Sequence, residues 1–102
     1  MAVRIQYDRK SLEALCRKYA VRRLALFGSV VRSDFTPDSD VDVLVEFHSD
    51  RIPDLLQFGM LAEHLQSIFG RRVDLVTYNS LKNPFRRASI LEDAEVQFDE
   101  AG

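Results

Sequence analysis

Over the first twenty residues apolar positions recur at the helical period. Leu12, Leu15, Cys16 and Tyr19 fall at i, i+3, i+4 and i+7, and Asp8 stands before them as an N-cap, so the spacing predicts an amphipathic first helix. Leu24, Ala25, Leu26 and Phe27 then form a short, wholly apolar run stopped by Gly28, which suits a strand covered on both faces. Residues 29–39 read as a helical turn followed by a polar loop. Over 40–47 the period is two. Val41, Val43, Val45 and Phe47 share one face of a strand, and Asp40, Asp42, Leu44 and Glu46 share the other.

The second half repeats the alternation. Pro53 at the first helical position opens a helix whose stripe holds Leu55, Phe58, Leu61, Leu65 and Ile68, and Gly70 closes it as a left-handed cap. Residues 72–77 predict a third strand, with Val73 and Leu75 on the face opposite Asp74 and Val76. Asn83 and Pro84 start a last helix running to about Leu91, and 94–98 predict a final strand. Helices alternating with strands in this order predict an α/β domain, a small sheet with helices packed on it.

Composition narrows the function classes. The chain has 102 residues, 46% of them hydrophobic, which predicts one domain spanning 1–102. Its formal charge of −2 argues against direct, non-specific nucleic-acid binding. No apolar run approaches the roughly 18 residues of a membrane helix. A lone Cys16 and no signal-like N-terminus lead to the expectation of a cytoplasmic protein. Cys16 sits on the apolar side of the first helix as a core residue, and His48 and His64 are not spaced as a metal pair.

The acids are the informative residues. Asp40 and Asp42 point to one face of a strand, their Cα atoms roughly 6–7 Å apart, and two ionised carboxylates that close repel each other. A divalent cation between them removes the conflict, and oxygen ligands are what Mg²⁺ prefers. An isolated pair of this kind is ordinarily just solvated. Asp74 adds a third acid in a second apolar strand, and the three converge if the strands are neighbours. Gly28-Ser29 at a strand end leaves backbone amides free to face an anion, or serves simply as a turn. Arg32 reaches the same anion or pairs with Asp34 or Asp38. Arg71-Arg72 and Arg86-Arg87 read as solvated faces, with steering of a nucleotide or an acidic partner as the alternative.

Gly28-Ser29, ten residues, then Asp40-Val41-Asp42 resembles the signature of the DNA polymerase β-like nucleotidyltransferase superfamily. The runs Leu26-Phe27-Gly28-Ser29-Val30-Val31-Arg32 and Ser39-Asp40-Val41-Asp42-Val43-Leu44-Val45 are similar to those of its minimal nucleotidyltransferase (MNT) family. So are Val73-Asp74-Leu75-Val76 and the C-terminal stretches Asn83-Pro84-Phe85 and Ile90-Leu91-Glu92-Asp93-Ala94. Val31 and Ser33 stand where the family commonly has Ala and Gly, a difference that touches the loop and no expected ligand.

The resemblance implies a small mixed sheet with the superfamily core. It implies Mg²⁺-dependent transfer of a nucleoside monophosphate, AMP from ATP, to a hydroxyl. Asp40 and Asp42 would hold two Mg²⁺ ions, Asp74 would complete the site of the one activating the acceptor, and Gly28, Ser29 and Arg32 would hold the nucleotide. It also implies a cognate HEPN-family protein as partner, the MNT protein acting as antitoxin to a ribonuclease toxin. The alternatives are a non-catalytic module that masks its partner, or nucleotidylation of a small molecule. The latter is disfavoured because no second domain is left to shape an acceptor pocket.

Overall fold

Three helices and four strands alternate along the chain: α1 (Arg9–Lys18), β1 (Val21–Phe27), β2 (Val41–Phe47), α2 (Leu55–Phe69), β3 (Val73–Thr77), α3 (Pro84–Asp93) and β4 (Glu95–Asp99). Short 3₁₀ turns at Gly28–Val31 and Tyr78–Ser80 follow β1 and β3. The structure is a computed structural model and describes residues 3 and 5–100. The sheet order is β3-β2-β1-β4. β1 runs antiparallel to β2 and β4, whereas β3 runs parallel to β2, the connection that needs a crossover helix and receives α2. The expected small mixed sheet with helices packed on it is therefore what forms.

Local chemistry sets the boundaries. Asp8 caps α1, its side chain accepting from the Lys10 amide. Asn83 caps α3 through the Phe85 and Arg86 amides, with Pro84 at the first position. Gly70 ends α2 at φ 69°, a left-handed value that favours glycine. The start of α2 differs from the expectation. Asp54, not Pro53, leads the helix, because Asp54 and Gln57 form a reciprocal capping box that leaves Pro53 one residue outside. Leu55, expected in the buried stripe, is consequently at the helix mouth and 87% exposed. β1 is longer than its apolar run, since Val21 is buried and Arg22 pairs with Glu46 of the neighbouring strand at 2.9 Å.

Two cores lie on opposite faces of the sheet. On one, Leu12, Leu15 and Cys16 of α1 and Leu61, Leu65 and Phe69 of α2 meet Leu24, Leu26, Val41, Val43 and Val45. On the other, Ile90 of α3 and Leu81 meet Ala25, Phe27 and Leu44. β1 is apolar throughout its second half because it is covered on both sides. Burial pushes the Cys16 thiol up to about 12, as a core residue requires. Among the described residues no helix is long and apolar enough to cross a membrane.

The larger core dominates stability. Replacing the fully buried Leu61 by Ala is expected to cost about 2–5 kcal/mol in urea unfolding. The same change at Leu56, which is mostly exposed at the second position of α2, should stay within about 0.5 kcal/mol.

Candidate active site

The smaller core stops short of one end of the sheet, and the acids gather there. Asp42 lies on the same face of β2 as Leu44, and the parallel register sets it directly opposite Asp74 of β3. Adjacent parallel strands bring these two Cα atoms to roughly 4.8 Å. Asp40 precedes β2, and its carboxylate is 3.1 Å from the Arg72 guanidinium, in an exposed ion pair. The structure thus brings Asp42 and Asp74 together and holds Asp40 beside them, turned towards Arg72.

The Asp42 carboxyl is pushed above its usual range. Burial is the main cause, followed by the charge of Asp74 and then of Asp40; Arg32 and Arg86 pull it back. Gly28 explains part of the burial. It follows β1 at φ 75°, buried, and its missing side chain makes room for Asp42: a Cβ there would overlap Oδ2 and stand 3.2 Å from Cγ. Gly28 is required twice, by its left-handed backbone and by this close approach. Ser29 follows, half-buried in the 3₁₀ turn, its carbonyl accepting the Arg32 amide at 2.9 Å.

The donor set suits a hard divalent cation. Its oxygens are carboxylate oxygens, and their mutual repulsion is what a cation relieves. Among the described residues no three His, Cys, Asp or Glu side chains are already drawn around one point. Asp40 would have to exchange Arg72 for a metal, and an exposed ion pair is worth only about 0–1 kcal/mol.

Arg32 is held by Asp34 at 3.3 Å, as one of the expected pairings, and by Asp93 of α3 at 2.8 Å, which the sequence did not suggest. Arg71 is not a solvated face: it stacks over the Phe35 ring at 4.5 Å and donates to the carbonyls of Thr36 and Pro37. Arg87 is tied to the Leu81 carbonyl at 2.9 Å. Arg86, read from the sequence as a solvated face with steering of a nucleotide as the alternative, sits where that alternative would put it. It is exposed, lines the groove beside Asp74, and its charge reaches Asp42. A signal for that placement was available, since Arg86 occupies the first turn of α3, where the helix dipole favours acids over cations.

The family profile described as Nucleotidyltransferase domain matches residues 8–96. A Methanocaldococcus jannaschii protein named as a candidate protein adenylyltransferase is 42% identical over 85 residues, 83% of this chain and 85% of that one. The protein adenylyltransferase MntA of Thermococcus cleftensis is 44% identical over 78 residues, 76% of this chain and 77% of that one. A solved structure described as a candidate minimal nucleotidyltransferase superposes with a TM-score of 0.70 at 36% identity, covering 85% of this chain and 86% of that one. The complex of tri-AMPylated Shewanella oneidensis HEPN toxin with MNT antitoxin matches with a TM-score of 0.63 at 20% identity. It covers 89% of this chain and 69% of that one, and the likeness is one of fold.

Two expectations follow from the Asp42 environment. Because the folded protein raises this carboxyl above 3.8, ionising it costs stability, and the cost is complete once pH exceeds the folded value. Asp42→Asn should therefore melt above the wild type at pH 7, and the gap should close as pH falls towards 3.8, measured by thermal denaturation across pH. Gly28→Ala should destabilise by about 1–2 kcal/mol from the backbone alone, with more from displacing Asp42.

Proposed function

The chain belongs to the nucleotidyltransferase domain family, and on that premise we propose that it moves AMP from ATP to a hydroxyl group on a partner protein. The partner in this proposal is a HEPN-family ribonuclease toxin, and the transfer silences it. Residues 1–102 act as one minimal catalytic domain. The observation that carries the proposal is the pairing of Asp42 with Asp74 on parallel strands, over the glycine that ends β1. The half-buried Asp42 beside the exposed Asp74 carries a repulsion that a bound cation would relieve. The relatives named as protein adenylyltransferases support AMP as the group moved and protein as the acceptor. The toxin–antitoxin complex of like fold supports the class of partner.

The residues divide the chemistry as follows. Asp40, Asp42 and Asp74 would hold two Mg²⁺ ions. Bound there, magnesium would neutralise the triphosphate oxygens and lower the pKa of the acceptor hydroxyl. Gly28 and Ser29 hold the phosphate tail through the amides at the 3₁₀ turn, and Arg32 adds charge at its edge. Asp74, exposed at the start of β3, receives the acceptor's proton as its oxygen bonds to the α-phosphorus and the bond to the β-phosphate oxygen breaks. Pyrophosphate leaves. A bulky anion added beside a ribonuclease site then repels RNA phosphates.

ATP with Mg²⁺ should raise the melting temperature, and neither alone should do so fully; at about 100 times its Kd the nucleotide adds about 2.7 kcal/mol. The decisive assay incubates wild-type and Asp40→Ala/Asp42→Ala proteins with the HEPN-family partner and ATP labelled at the α-phosphate. Label should enter the partner with the wild type only. Equal silencing by the double variant without label would make the protein a masking module and end the enzyme proposal.

A further inference from the structure

β3 is an outer strand, and its second edge is open. The Val41 amide donates to the Arg72 carbonyl at 2.9 Å, so Arg72, Asp74 and Val76 turn their backbone groups towards β2. Val73, Leu75 and Thr77 must then turn theirs outwards. The Thr77 carbonyl is taken by the Ser80 hydroxyl at 2.8 Å. Among the described residues nothing takes the amides and carbonyls of Val73 and Leu75 or the Thr77 amide. Exposed edges of this kind are ordinarily blunted or covered.

A groove of about 840 Å³ follows this edge. Its lining draws on both faces of β3: Asp74 and Arg86 on the α3 side, Leu75 with Leu55 and Phe58 on the α2 side. Only a channel that wraps around a free strand edge collects both. Its rim is apolar, with Leu55 87% and Ile52 68% exposed. Its charges are three carboxylates, Glu46, Asp54 and Asp74, against the one guanidinium of Arg86. Arg22 already neutralises Glu46, leaving Asp54 and Asp74 exposed at opposite ends.

From this geometry we infer that the acceptor binds as an extended basic polypeptide segment, added to the sheet as a strand beside β3, with its hydroxyl residue next to Asp74. The inference rests on the transfer function proposed above and specifies its substrate. Side chains of an added strand alternate between faces. A residue placing its hydroxyl on the Asp74 side therefore has neighbours on the Leu55 and Phe58 side, and these neighbours are apolar. The backbone supplies affinity, and the Asp54 carboxylate favours Lys or Arg on the flank that reaches it. The recognised pattern is a Tyr, Ser or Thr between two apolar residues within a basic stretch, held in extended form.

The test uses the full chain, isotope-labelled, and the synthetic peptide Lys-Lys-Val-Tyr-Val-Lys-Lys. Binding should slow hydrogen exchange at the Leu75 and Thr77 amides and leave the opposite sheet edge at Val96 unchanged. Two further peptides carry N-methyl groups on both Val residues or on the Tyr. Strand pairing predicts that one of the two binds at least about tenfold more weakly while the other is unaffected, because only alternate amides face β3. Leu55→Ser, at an exposed position, should weaken binding about threefold or more without altering the melt. No binding at about 1 mM, or protection elsewhere, overturns the inference, and so does equal tolerance of both N-methylated peptides. Transfer is read separately with labelled ATP and Mg²⁺. Edge protection without label keeps the docking mode and ends the transfer proposal; label without edge protection does the reverse.

Discussion

Two carboxylates that repel each other are set in register on adjacent strands, and much of this small protein serves to keep them there. Asp42 and Asp74 lie opposite one another because β3 runs parallel to β2, and that direction is possible only because α2 carries the chain back across the sheet. The capping box at Asp54 and Gln57 and the left-handed Gly70 set where this crossover begins and ends. Register matters more than proximity. A slip of β2 by one residue would turn Asp42 to the face where α1 and α2 pack, and the apolar set Val41, Val43 and Val45 already on that face prevents it.

The two cores divide the labour. The face covered by α1 and α2 holds the larger set of fully buried residues and carries most of the hydrophobic stabilisation. The α3 face has a smaller core, which leaves the end of the sheet uncovered and the acids accessible. β1 links the two: Leu24 and Leu26 belong to one core and Ala25 and Phe27 to the other. The Gly28 turn thus leaves from a strand paired on both edges and covered on both faces. A group that must approach the chemistry closely is best mounted on such a rigid element.

Much of the fold was legible because local signals agreed with the tertiary outcome. Asp8, Gly70 and Asn83 each mark a helix boundary through local capping hydrogen bonds or a backbone angle, and each does so in the structure. The period of two in β2 separated the core valines from Asp42. The start of α2 was misjudged because Pro53 and Asp54 are both acceptable there, and only the Gln57 side chain decides between them. The arginines were the least legible. A long side chain reaches partners that its sequence neighbours do not reveal, as Arg32 does with Asp93, sixty-one positions away, or Arg71 with Phe35. The three acids and Gly28-Ser29 stood out by type and spacing, whereas the reason for Gly28 did not. Spacing suggested a phosphate turn, and only the structure reveals that the residue also yields space to Asp42.

That shared space ties two distant positions into one evolutionary unit. At position 28 any side chain meets the carboxylate of residue 42, so the harm done by a substitution at 28 depends on what stands at 42. Lineages that lose the acid escape half of the constraint and retain only the backbone demand for a left-handed conformation. Once such a lineage fills position 28, however, restoring Asp42 becomes a clash rather than a repair. The loss of this carboxylate would then act as a ratchet, separating chains that retain the glycine–acid pair from those that cannot easily regain it.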